Sequence, residues 1–260
     1  MKIWTVDAFT NKPYAGNPAA VVIVDEFPSD RVCRAIAGEL NLSETAFVKP
    51  LAHHHFHIRW FTPKVEVKLC GHATLASSHI LYQEKLVAGR EILFDSLSGP
   101  LKVTISSPNY TLDFPLQKTG KIIQSAAILE CFKEVVQAVE AYDDIIIELK
   151  SEEQLISYIP QIDKLEKINC RGIIITTRGS GNYDFVSRFF APKVGVNEDP
   201  VTGSAHCKLA HFWQQKLQKN NFIAYQASAR GGEIHISVVE DRVHLTGQAV
   251  TMLKGELLSL

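Results

Sequence analysis

No apolar run in this 260-residue chain is long enough to cross a bilayer. The longest, "GNPAAVVIV" and "RGIIIT", are well under the roughly 20 residues that a spanning helix needs. Nor is there a Cys-x-x-Cys pair. The five cysteines are odd in number and scattered, which argues against a zinc or disulfide framework and for reduced thiols in a cytoplasmic protein. Neither charge predominates. Lys and Arg number 27 against 28 Asp and Glu, a net of −1, so no basic field draws the chain to nucleic acid or to an anionic membrane. The opening "MKIWTVDAFTN" lacks a signal-peptide core. Ser204 does not stand in Gly-x-Ser-x-Gly, which removes support for a hydrolase elbow, and the glycines near Gly179 lack the lysine of a P-loop and the full dinucleotide fingerprint. What is present is 46% hydrophobic and 21% charged residues, the make-up of an ordinary globular protein with chain enough for a real core.

The chain repeats itself. "IRWFTPKVEV" from Ile58 returns as "SRFFAPKVGV" from Ser187, and six of the ten positions match, including Arg59 with Arg188 and Phe61 with Phe190. A self-match at fixed offset points to a duplicated unit. Around each copy the patterns agree: short strands, a helix opened by a glycine (Gly71, Gly203), then more strands. Ser29 N-caps a helix to Leu40, and further helices are expected over "AAILECFKEVVQAV" and "SEEQLISYIPQI". The fold class is therefore α+β, with two similar domains expected at 1–117 and 118–247 and a C-terminal strand at 248–260 packing back on the first.

The chemistry gathers at the two helix starts. A helix N-terminus offers unpaired N–H groups and partial positive charge, and two of them suit a small carboxylate. Proton-transfer side chains stand beside them: His72 after Cys70-Gly71, and Asp199 and Ser204 around Thr202-Gly203. Each also has a plain structural reading, as a turn, a cap or a hydrogen-bonded core residue. Glu44, in "NLSETAFV", stands at the mouth of an apolar strand. Desolvation there raises a carboxylate pKa, and two units above about 4.3 would bring it close to neutrality; a solvated loop acid is the alternative. His53, His55 and His57 share a face if their segment is a strand, but no acidic or cysteine partner stands beside them to complete a metal site.

"DAFTNKPYAGNPAAVV", "NLSETAFV", "FTPKVEVKLCGHATLA" and "FFAPKVGVNEDPVTGSAHCKLA" together resemble the phenazine-biosynthesis-isomerase-like (PhzF-like) family, of the diaminopimelate-epimerase fold. The resemblance implies two β-rolls, each wrapped about a central helix, with the active site in the cleft between them and a homodimeric assembly. It implies an isomerase that moves a proton within a small carboxylate-bearing metabolite without metal, flavin or nicotinamide. Glu44 matches the family's acid/base residue, and His72, Asp199 and Ser204 match its supporting set. Asn17, Cys70, Gly71, Ala73, Thr202 and Gly203 match positions that hold the substrate.

The chain departs from its neighbours on this fold in two places. Epimerases on the fold use two opposed cysteines; Cys70 stands near the first, and Thr202 occupies the place of the second, so a two-thiol racemase is disfavoured. Lys68 stands where an acidic residue is frequent. A catalytically silent binding protein is the alternative from another class, and a hydrolase pairing Ser204 with His206 is disfavoured because residues two apart on a helix point to different faces.

Overall fold

The computed structural model describes residues 1–258. In chain order its elements are β1 (Lys2–Ala8), β2 (Asn17–Ile23), α1 (Asp30–Leu40), β3 (Thr45–Ala52), β4 (His55–Phe61), β5 (Glu66–Val67), α2 (Gly71–Gln83), β6 (Glu91–Asp95), β7 (Leu101–Ser106), β8 (Asn109–Pro115), α3 (Ala126–Cys131), β9 (Val135–Ala141), β10 (Asp144–Leu149), α4 (Glu152–Ser157), α5 (Ile162–Leu165), β11 (Gly172–Arg178), β12 (Phe185–Ala191), β13 (Val196–Asp199), α6 (Gly203–Leu217), β14 (Asn221–Gln226), β15 (Gly232–Val239), β16 (Arg242–Gly247) and β17 (Ala249–Glu256). They form two compact units. One comprises Met1–Asp113 and the chain from Thr246 on, the other Phe114–Leu245. The last two positions of the strand expected at 248–260 lie outside the described residues.

In the first unit β17 pairs with β1 and β1 with β2, both antiparallel; β2 runs parallel to β3, β3 antiparallel to β4, β4 parallel to β6, and β6, β7 and β8 follow antiparallel. Strand β5 folds back on the end of β4. The second unit has the same alternation. β9 and β10 are antiparallel, β10 and β11 parallel, β11 and β12 antiparallel, β12 and β14 parallel, β14 and β15 antiparallel, with β13 folding back on β12. The repeat read from ten residues thus extends to a whole topology.

Each unit has one helix at its centre. Ten of the thirteen residues of α2 are buried, so this helix is covered on every side rather than along one stripe. Its small hydroxyls bond back up the helix: Thr74 to the Cys70 carbonyl at 2.6 Å, Ser77 to Ala73 at 2.7 Å and Ser78 to Thr74 at 2.8 Å. Polar side chains are thereby satisfied inside an apolar setting. Helix α6 has the same central character, with Phe212 and Trp213 buried on it and Trp213 stacked on Phe185. The peripheral α1 is amphipathic; it buries Cys33, Ile36 and Ala37 and stops at Asn41, which takes the left-handed conformation.

The repeated phrase builds the same clamp twice. In the first unit Arg59 grips Glu66 through Nε at 2.8 Å and Nη2 at 2.7 Å, and its guanidinium lies 4.9 Å from the centroid of Phe61. In the second Arg188 grips Glu198 at 2.7 and 2.9 Å and lies 5.1 Å from the centroid of Phe190. Such two-pronged bonds hold geometry as well as energy. Arg59 and Arg188 are 129 residues apart, whereas Glu66 and Glu198, like Gly71 and Gly203, are 132 apart. Three residues have been added in the second copy between arginine and acid. On the longer offset Cys70 corresponds to Thr202 and His72 to Ser204.

The structure corrects three local expectations. Helix α3 stops at Cys131, and "VVQAVEA" is strand β9: a run rich in β-branched valines prefers the sheet, the backbone is already extended at Phe132, and the chain turns into β9 through Glu134 at φ 51°. "SEEQLISYIPQI" splits into α4 and α5 around Pro160, which cannot continue a helix. His53 precedes β4 instead of lying on it, and His55 does have an acidic partner, Asp95, at 3.0 Å.

The second unit also encloses an ionic cluster that periodicity does not reveal. Lys208 of α6, 1% exposed, donates to Asp143 at 2.6 Å and to Asp144, whose side chain is wholly buried; Arg171 donates to Asp144 at 2.8 and 2.5 Å. Removing one partner from such a group leaves a buried charge uncompensated. Replacement of Asp144 by Ala is expected to lower stability by about 3–5 kcal/mol in urea unfolding; a loss below about 1 kcal/mol would show that the cluster is structurally idle.

Candidate active site

Strand β2 begins where the chain turns through Gly16, at φ 68°. A Cβ there would sit 2.2 Å from the Ala8 carbonyl oxygen, so only glycine fits. The turn delivers Asn17 to the sheet interior with no exposed surface. Across from it, Cys70 is the N-cap of α2 in extended conformation, and Gly71, His72 and Ala73 form the first helical turn. The first intrahelical bond runs from the Thr74 amide to the Cys70 carbonyl at 3.1 Å, so the amides before Thr74 have no acceptor within the helix. Glu44 stands immediately before β3, its side chain 18% exposed.

These residues meet at the imidazole of His72. The Asn17 side-chain amide lies 3.2 Å from Nδ1, the Cys70 sulfur 3.5 Å from Nδ1, and a Glu44 carboxylate oxygen 3.4 Å from Nε2. Burial pushes the His72 pKa down to about 3, so the ring is neutral at physiological pH. With Nδ1 accepting from Asn17, the one ring proton sits on Nε2 and faces the Glu44 carboxylate. Four residues named from sequence (Asn17, Glu44, Cys70, His72) are thus brought together, and Gly71 and Ala73 supply the adjoining amides.

The second unit places Asp199, Thr202, Gly203 and Ser204 at the start of α6. The Thr202 hydroxyl donates to Asp199, and the Gln226 side chain closes the turn, accepting from the Thr202 amide at 2.8 Å and donating to the Asp199 carbonyl at 2.7 Å. Ser204 does not cap the helix; its oxygen receives a bond from Arg171 at 3.4 Å. His206 points away from Ser204, with Nδ1 2.7 Å from the Thr202 carbonyl and its ring stacked on Phe185; burial lowers its pKa to about 4. Ser204 and His206 therefore form no nucleophile–base pair.

Gln226 and Arg171 were not anticipated. A signal for Gln226 did exist: in "FIAYQ" the inward positions are Phe222, Ala224 and Gln226, and an amide on an inward-facing row needs partners. Arg171 gave no such signal, since it stands ahead of a strand in a loop. Lys68 is exposed, and its carbonyl accepts from Ser98 at 2.6 Å.

The family model for phenazine biosynthesis-like proteins (PhzC-PhzF) matches residues 6–255. The chain belongs to the phenazine biosynthesis-like family. A relative from Halalkalibacterium halodurans, named an isomerase, is 47% identical over 98% of both chains. The crystal structure of a PhzF-family protein from Enterococcus faecalis superposes with a TM-score of 0.95 at 38% identity, over 99% of both chains. A probable proline racemase from Agrobacterium radiobacter is 10% identical, with a TM-score of 0.68 over 98% of this chain and 92% of its own; that likeness concerns the fold, which is the α+β architecture of the diaminopimelate epimerases. Family membership supports an isomerase as the enzyme class.

The two buried imidazoles carry a consequence for stability. Each has a folded pKa well below the ordinary value of about 6.5, so between those limits the unfolded chain binds protons that the folded chain refuses. Stability is complete above about pH 6.5 and falls as the pH drops towards 4 and 3, by up to about 1.4 kcal/mol per pH unit for each ring. Urea unfolding between about pH 7 and 5.5 checks this; the His72→Gln variant is expected to show a shallower slope, and an unchanged slope would contradict it.

Proposed function

We propose that the protein is a cofactor-independent isomerase that moves a proton within a small carboxylate-bearing metabolite, with Glu44 as the acid/base. The observation that carries this reading is the 3.4 Å approach of the Glu44 carboxylate to a buried, neutral His72. A neutral imidazole cannot neutralise the carboxylate by ion pairing, yet its Nε2–H can orient it. Glu44 is therefore held in one direction beside a group that carries no charge.

In this scheme Glu44 takes a proton from a carbon of the substrate, leaving the electron pair delocalised over the adjoining unsaturated system. The carboxylic acid so formed returns the proton to another carbon of that system, and no net charge is transferred. The substrate carboxylate is bound by the Gly71–Ala73 amides, which are already oriented and need no rearrangement when charge develops. Asp199 and Ser204 remain the relay and donor candidates at the α6 start, on the family resemblance.

A two-thiol epimerase is disfavoured. The counterpart of Cys70 is Thr202, and the Thr202 hydroxyl is engaged with Asp199. A hydroxyl does not become an anion near neutral pH as a thiol does.

Incubation of candidate unsaturated cyclic and amino acids in D₂O, read by NMR, is expected to show an isomer forming with the native protein, carrying deuterium wherever the protonated Glu44 exchanges with solvent before it returns its proton. Glu44→Gln is expected to lower that rate by at least about a thousandfold with folding unchanged, the scale on which general acid/base groups act. Full activity in this variant would remove Glu44 from the mechanism, and no conversion of any carboxylate that binds would favour a silent binding protein.

A further inference from the structure

The same three side chains have a second chemical property. Glu44, Cys70 and His72 offer a carboxylate oxygen, a sulfur and an imidazole nitrogen that all lie within 4.8 Å of one another, and among the described residues no other group of three such ligands is as close. We infer that Glu44, Cys70 and His72 form a three-ligand site for a divalent cation of the zinc class, with the fourth position left open.

The distances carry this. Zinc bonds of about 2.3 Å to sulfur and about 2.0–2.2 Å to nitrogen and oxygen, set tetrahedrally, put neighbouring ligand atoms roughly 3.3–3.6 Å apart. Here Nε2 of His72 lies 3.4 Å from the Glu44 oxygen and 3.9 Å from the Cys70 sulfur. The first separation already fits; the second is a few tenths of an ångström too long, and the Glu44–Cys70 separation, within 4.8 Å, is brought to the zinc range by rotation of the thiol and the carboxylate. The donor set selects the metal: thiolate with imidazole favours zinc, cobalt or cadmium over magnesium or calcium.

Cys70 and His72 stand at the start of a helix packed on all sides, so two of the three ligands are held by one rigid element. The outer contact also suits. A histidine bound through Nε2 donates its Nδ1–H to a fixed acceptor, and Asn17 stands 3.2 Å from Nδ1. Turning its amide over presents oxygen in place of nitrogen at no cost in shape. On binding, the Cys70 thiol gives its proton to solvent, and the single ring proton moves from Nε2 to Nδ1.

The consequence rests on the proposed function: a cation held by Glu44 occupies the carboxylate that would accept the substrate proton, so the metal is an inhibitor. The other histidines do not form a rival site. His55 pairs with Asp95 at 3.0 Å, while His57 packs edge-on against Phe27.

Cobalt(II) titration of the full-length, metal-free protein tests the site. One equivalent is expected to produce a thiolate-to-cobalt charge-transfer band with tetrahedral visible bands, all displaced by zinc. Cys70→Ser is expected to lose the charge-transfer band although the other four cysteines remain. Glu44→Gln, at a partly exposed position, is expected to keep the fold and weaken cobalt binding at least about tenfold. No band in the native protein, or a band unchanged in Cys70→Ser, overturns the site. Absence of the band together with loss of deuterium exchange in Glu44→Gln overturns the metal site and leaves the isomerase standing. A cobalt band lost in Cys70→Ser, with Glu44→Gln still fully active in exchange, supports the site and removes Glu44 as the base.

Discussion

Burial of the His72 ring is the constraint on which the first unit's chemistry depends. The ring is buried, and burial holds its pKa down to about 3, so it is neutral near pH 7. One proton then has to be shared between two nitrogens with different neighbours. Asn17 settles its place at one edge, and at the other the remaining N–H meets Glu44. An acid/base carboxylate needs a fixed direction more than it needs a counter-charge, and this arrangement supplies direction alone. The helix start adds oriented amides on the same element.

Around this point the fold repeats a construction. In each unit an arginine reaches from a central strand to an acid just ahead of the central helix and lies over a phenylalanine two residues along the chain. The clamp fixes where the chain leaves the sheet and therefore where the helix begins. This accounts for the recurrence of the Arg-x-Phe-x-Pro-Lys-Val phrase: it is retained as scaffold, while the helix-start residues behind it have diverged, cysteine and histidine in one copy and threonine and serine in the other. The duplicated frame supplies two similar supports, and the chemistry differs between them.

The legible parts of the sequence were those with strong local pattern. Helices α1, α2 and α6 begin where Ser29, Gly71 and Gly203 marked them, although none of the three has a side-chain cap hydrogen bond at its start; the apolar spacing that follows each marker is local. Helix α3 ran on too far because apolar spacing alone does not separate a helix from a valine-rich strand that is completed by distant partners. The gathering of Glu44 with His72 and Cys70 could be expected from resemblance but not from spacing, because β2, β3 and α2 meet only through tertiary packing. Gln226, from the end of β14, and Arg171, from the loop before β11, act on the α6 start from well away in sequence, so their partners there could not be read from spacing. His55 shows the reverse case: its partner Asp95 is distant in sequence and adjacent in the sheet, because β4 runs parallel to β6.

The protonation of one ring decides the account. Nitrogen-15 NMR of the imidazoles, followed from about pH 7.5 to about pH 5, reads both charge and tautomer. The arrangement described here requires the His72 ring to stay neutral across that range with its proton on Nε2. A ring that becomes a cation near pH 6, or one that carries its proton on Nδ1 in the metal-free protein, would contradict it.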